Sequence, residues 1–176
     1  HATDSGPAGF TAASLLRHPA PVAEGPGAVR RAGWNEVRAE NAGMAHLLYA
    51  FDDPAAVLGW QTIDDRVMGG VSRSRLRHDA AGHAVFEGRV SLDRGGGFAS
   101  VRSPAADHGA AGATALLIET FGDGHRYKLA LFGDDGFDSV GHQATFTPEP
   151  GRWSAVRLPL AGFVASYRGR PVPGAG

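Results

Sequence analysis

The chain contains no cysteine. Structural disulfides, zinc–thiolate sites and thiol nucleophiles are therefore excluded, and the absence leans towards a reducing compartment. Neither sign of charge prevails: 17 lysines and arginines stand against 18 aspartates and glutamates, for a formal net charge of −1. That balance provides no electrostatic footprint for nucleic acid or anionic lipid. No apolar run approaches the ~20 residues needed to span a bilayer. The longest, residues 113–118, has the length of a buried strand. The N-terminus lacks the charged start and apolar core of a secretory signal, so the expected location is cytoplasmic. Lysine is almost missing, with Lys128 alone among many arginines, alanines and glycines. This bias reads as the codon usage of a GC-rich bacterium and not as chemistry.

The length leaves room for one domain with residues to spare. A domain of ~130 residues buries roughly two-thirds of its surface, so it needs neither metal nor disulfide to fold. Residues 1–43 are interrupted by proline and glycine throughout (Pro7, Pro19, Pro21, Pro26) and read as a disordered linker or as sequence foreign to the natural protein. Within them only residues 29–41 suggest a short helix, with a thin apolar face. Met44 is accordingly expected to be the true start, and 44–176 the folded domain.

From Met44 onwards the pattern is β. Residues 45–51 read as a first strand, and residues 71–77 alternate with Val71, Arg73, Arg75 and Arg77 on one face. Residues 84–90 alternate again, and 98–102 form a short strand. The mostly apolar 114–121 suggests a central strand buried on both faces. Residues 126–132, with Tyr127, Leu129 and Leu131 on one side, then 143–147 and 152–158, complete the set. Asp, Gly and Pro clusters at 79–82, 93–97, 122–124, 134–136 and 148–151 supply the turns. Such short strands at regular spacing, with no core helix, predict an all-β fold, a β-sandwich or jelly roll. The loop-like ending at 168–176 leaves no closing strand, so the domain is expected to be cut short at its C-terminus.

Catalytic chemistry finds little support. The pairs Asp52-Asp53, Asp64-Asp65 and Asp134-Asp135 make neither an acid–base couple nor a calcium cage by adjacency alone, because neighbours on a strand point to opposite faces. They read as turn caps or solvated groups, with Asp65 set apart by the glycines that follow it. The eight histidines show no metal-binding spacing. Ser72, Ser74 and Ser100 lack a nucleophile elbow and read as strand serines. The Asp93–Phe98 stretch resembles a phosphate cradle but leads into a strand, so no helix N-terminus faces an anion. Gly122 to Tyr127 reads as a hairpin turn. Trp60, Trp153, Phe86 and Phe98 read as core before they read as a sugar platform. Arg102, Arg126, Arg168 and Arg170 suit carboxylates on a partner surface, or on the chain's own loops.

The chain is organised around residues 60–72, where Trp60, the carboxylates Asp64-Asp65, the apolar Val67-Met68 and the glycines Gly69-Gly70 precede an alternating strand. A second glycine knot follows at Gly95-Gly96-Gly97, ahead of Phe98-Ala99-Ser100-Val101-Arg102. Paired glycines that open no helix mark positive φ or a close backbone approach. Together with Phe86-Glu87-Gly88, Gly122-Asp123-Gly124, Gln143-Ala144, Trp153, Leu158-Pro159 and Arg168-Gly169-Arg170, in that order, these motifs resemble the complex I intermediate-associated protein family.

The resemblance implies a galactose-binding-like jelly roll and a non-catalytic role in assembling respiratory NADH:ubiquinone oxidoreductase. No enzyme activity, cofactor or metal is expected. The expected partner is a protein, with respiratory-complex subunits as candidates, at a chaperone-like binding surface. Its expected residues are Asp65, Arg66, Gly69, Gly70, Gly96, Gly97, Arg102, Asp123, Arg168 and Arg170. A carbohydrate-binding jelly roll is the alternative, and would need an exposed aromatic platform. Two local expectations follow: Gly70 adopts φ > 0, and Arg102 lies at the surface as a contact.

Overall fold

The computed structural model describes residues 12–17, 30–134, 138–168 and 170–173. These residues form thirteen strands in two antiparallel sheets. In chain order they are β1 (Ala12–Arg17), β2 (Arg30–Asn41), β3 (Met44–Ala50), β4 (Gln61–Asp64), β5 (Arg73–Asp79), β6 (His83–Arg89), β7 (Ala99–Arg102), β8 (Ala115–Phe121), β9 (Tyr127–Phe132), β10 (Gly141–Phe146), β11 (Trp153–Pro159), β12 (Val164–Tyr167) and β13 (Arg170–Pro171). The first sheet runs β13-β12-β10-β9-β1-β7-β4 and the second β11-β8-β2-β6-β5. The expected all-β sandwich is what forms, and among the described residues the only helical pieces are short 3-10 turns.

Alternation explains the core. Tyr127, Leu129 and Leu131 point inward from the first sheet, as their spacing predicts, and pack with Ala99, Val101 and Phe146. From the second sheet Trp34, Phe86, Leu116, Ile118 and Leu158 meet them. Strand β8 departs from expectation: Leu116, Ile118 and Thr120 are buried, but Leu117 and Glu119 are only half-buried. It buries one face, because the other lies on the outside of the sandwich.

The helix expected over residues 29–41 is corrected by β2. Residues 29–41 give no helix: Arg30–Asn41 is a twelve-residue strand at the centre of the second sheet, upstream of the expected start at Met44. Its first half pairs with β6 and its second half with β3, while β8 runs along the other edge. The register slips between Trp34 and Glu36 against β8, and between Val37 and Arg38 against β3. A bulge inserts a residue and shifts the phase of the alternation. The inward side chains are therefore Ala32, Trp34, Val37 and Ala39. The three-residue step from 34 to 37 imitates a helical period. Strand β1, also upstream, sits between β7 and β9 in the first sheet.

Tyr49, Phe51 and Trp60 stack at the end of β3, with Tyr49 and Trp60 ring centroids 5.3 Å apart. Trp60 and Phe86 thus belong to the packed interior. Phe98 is half-buried outside the core cluster, and Trp153 departs further from the expected core: it is 40% exposed, edge-on to His83 and Phe121 on the outer face.

Candidate functional site

The first sheet ends at one corner in Asp64, the last residue of β4, and Asp65 opens a 3-10 turn over Asp65–Met68. Both aspartates reach across to serines at the start of the second sheet's β5, Ser72 just before the strand and Ser74 within it. Asp64 accepts from the Ser74 amide at 2.9 Å and from its hydroxyl at 2.5 Å. Asp65 accepts from the Ser72 amide at 2.9 Å and from the Ser72 hydroxyl. Four hydrogen bonds from Ser72 and Ser74 to the two carboxylates stitch the end of β4 to the start of β5 at this edge.

Asp65 is the node. Its side chain is fully buried, and its Oδ2 also accepts from the amides of Gly97 at 2.7 Å and Phe98 at 3.3 Å. Burial alone would push its carboxyl up. The bonds from Ser72, Gly97 and Phe98 outweigh that and hold it below the ordinary aspartate value. Charge-assisted bonds of this kind are roughly twice as strong as neutral ones.

The two glycine knots close on this carboxylate. A Cβ on Gly70 would lie 2.3 Å from Asp65 Oδ1, and one on Gly96 2.5 Å from Oδ2. Gly70 is thus required by close approach and not by positive φ, correcting the expectation. The left-handed residue of the pair is Gly69, at φ +87°. Ser91 completes the clasp by donating its amide to the Ser72 hydroxyl at 3.0 Å.

Asp65, Arg66, Gly69, Gly70, Gly96 and Gly97 therefore come together, but as two loops around a buried carboxylate. Asp65, Gly70 and Gly97 face inward to build the node, whereas Arg66 and Gly69 are exposed. Beyond the node the loops hold apolar side chains in solvent, with Val67 75%, Met68 65% and Leu92 67% exposed, and Val71 beside them.

The remaining expected residues lie elsewhere. Arg102 is only 7% exposed; its guanidinium stacks 4.2 Å over the Phe132 ring and donates to the Asp134 carbonyl. It packs inside, contrary to the expected surface contact, because its strand β7 lies between β1 and β4 and is buried along its length. Asp123 orders the turn into β9, accepting from the His125 amide and the Tyr127 hydroxyl. Arg168 pairs in solvent with Asp138 at 2.9 Å, and Arg170 is exposed on β13. Strand β13 is six strand-to-strand steps from β4, or about 29 Å at ~4.8 Å each. The ten residues do not form one surface.

Two polar groups escaped the sequence reading. The Tyr49 hydroxyl donates to Ser103 Oγ at 3.0 Å and stands 2.7 Å from His108 Nε2. Burial pushes the Tyr49 phenol up to about 12 against the pull of that Ser103 bond, and burial holds His108 below the usual histidine value. On the outer face of the second sheet, Glu87 is gathered by Arg31, Arg75 and Arg77. Burial pushes its carboxyl up, but the bonds from Arg75 and Arg77 prevail and hold it low. The signal for this cluster was present in the alternation of Arg73, Arg75 and Arg77, but its partner is assigned only by strand pairing.

Among the described residues no helix is long and apolar enough to cross a membrane, and no group of three or more metal-ligating side chains gathers. No curated protein and no solved structure matches the chain. The family model of complex I intermediate-associated protein 30 (CIA30) matches residues 49–176, which takes in the Asp65 node, both glycine knots and every strand from β4 to β13. The chain belongs to the complex I intermediate-associated protein 30 family.

Proposed function

We propose that this chain is a non-catalytic protein-binding module that acts in complex I assembly. The observation that carries the assembly role is the family match over residues 49–176. The geometry supports the non-catalytic part. Asp65 has both oxygens committed to hydroxyl and amide donors, and Ser72 is committed in turn to Asp65 and Ser91. A carboxylate so engaged is a structural clasp and not a general base.

The protein-binding part is supported by what the clasp holds. Ordering a loop that carries exposed apolar side chains costs conformational entropy. Here that cost is met within the fold, so Val67, Met68 and Leu92 are presented pre-organised, which favours association. A tagged full chain added to detergent-solubilised membranes that are assembling complex I should co-migrate with partly assembled complex on native electrophoresis. Migration apart from every complex I subunit would overturn the reading.

A further inference from the structure

The register of the β5–β6 hairpin sets Arg73 directly opposite Arg89. Both are exposed, and among the described residues neither has an ion pair. Like charges directly opposite on a sheet face repel and destabilise the pairing. One position further along, the same face solves the problem: Arg75 stands opposite Glu87, which Arg31 approaches from β2. Glu87 and Asp79 thus engage three arginines, and Arg73 and Arg89 are left over. A local conflict of this kind, kept in an otherwise consistent fold, points to a function outside the folded chain.

The pair also adjoins apolar surface. Val71 stands two residues before Arg73 and Leu92 three residues after Arg89, and both are exposed. Two guanidinium forks beside two exposed aliphatic side chains match a segment that carries carboxylates and apolar residues together.

We propose that Arg73 and Arg89, with Val71 and Leu92, dock an acidic, apolar-bearing segment of a protein partner. This rests on the protein-binding reading above and gives it a surface and a partner chemistry. A protein segment is favoured over a polyanion because Glu87, Asp79 and Asp93 punctuate the same region and the chain as a whole is at −1, whereas a phosphate backbone requires a longer uninterrupted basic track.

The test variant is Arg89→Glu, which sets a carboxylate opposite Arg73. The cross-strand repulsion becomes attraction, so the melting temperature should hold or rise while the docking charge is lost. With full-length chain as bait and nuclease-treated, detergent-solubilised complex I assembly intermediates as prey, retention of complex I subunits should fall at least tenfold. Arg126→Glu, an equal charge change at an exposed site just before β9 of the first sheet, should retain them within twofold. Arg89→Gln serves in place of Arg89→Glu if the reversal fails to fold. Equal retention by wild type and Arg89→Glu would overturn the docking surface while leaving the assembly reading intact. No retention by wild type would remove the assembly reading, and the docking proposal with it. Retention from a parallel untreated prey that disappears in the nuclease-treated prey would make nucleic acid the occupant and overturn the proposal.

Discussion

Asp65, beside the edge strand β4, and Asp138, in the segment before β10, both accept charge-assisted hydrogen bonds, and they differ in almost everything else. Asp65 is fully buried and takes all four of its donors from three backbone amides and one serine hydroxyl. Asp138 is mostly exposed and takes its donors from the ends of two side chains, Arg168 and Tyr167, both at 2.9 Å. Both carboxyls are lowered. For Asp138 the bonds from Arg168 and Tyr167 meet little opposition, whereas for Asp65 burial pushes up hard and is overcome. A hydrogen bond stabilises a fold according to what would replace it: at Asp138 water replaces it, and at Asp65 nothing does.

The largest effect is expected where the fold approaches Asp65 most closely. Gly70→Val places a branched side chain where even a Cβ would sit 2.3 Å from Oδ1. Neither neighbour can give way, since the Asp65 carboxylate is held from four sides and Gly70 donates its amide to the Asp65 carbonyl at 2.9 Å. A loss of at least about 3 kcal/mol is expected from overpacking combined with a broken buried network. Chemical denaturation checks it; a variant as stable as wild type would show that the corner is looser than its contacts imply.

Asp65→Asn keeps the shape and removes the charge, so it isolates the electrostatic part. An amide group must turn one N–H₂ towards donors already committed to Oδ1 or Oδ2. A loss of about 2–4 kcal/mol at neutral pH is expected. The pH dependence has a definite sign. The folded-state carboxyl lies below its unfolded value of about 3.9, so its contribution is complete above that value and is lost as pH falls through the folded value. Other lowered carboxyls, Glu87 among them, add their own acid slope. The stability difference between wild type and Asp65→Asn should therefore shrink as pH falls below about 4. A difference constant down to pH 2 would assign the role of Asp65 to shape alone.

The sequence makes the longer strands after Met44 legible because single-faced burial imposes a period of two, and residues 127, 129 and 131 show it cleanly, whereas β4, β12 and the β13 that follows in the loop-like ending are too short to show a period and go unread. It hides β2 because the bulge after Trp34 breaks that period in the middle of the strand. The pairing of Asp64 with Ser74 and Asp65 with Ser72 has no signature in spacing, since the aspartates are adjacent and the serines are not, and it exists only once the turn between them folds back. The glycine knots read as a family signature, but their common cause, one carboxylate that neither can approach with a side chain, is a three-dimensional fact. Arg73 and Arg89 stand sixteen residues apart and become a repelling pair only through the hairpin register. Local pattern encodes faces, whereas non-local pairing decides which faces meet.

The smallest effect is expected at the far edge. Arg168→Ala removes the bond to Asp138 and the guanidinium that lies 5.4 Å from the Tyr167 ring centroid. Both charged side chains are solvated, so each recovers water in place of its partner, and salt already screens the pair. Arg168 itself sits at φ +50°, a conformation no easier for alanine than for arginine, so no backbone strain is relieved. The melting temperature should match wild type within experimental error, and retention of complex I assembly intermediates should be unchanged. Loss of retention without loss of stability would move the docking surface from the β5–β6 face to the β12–β13 edge. Loss of stability would mean that this edge is fastened more firmly than an exposed ion pair allows, and the contrast between the two aspartates would fail at its weaker end.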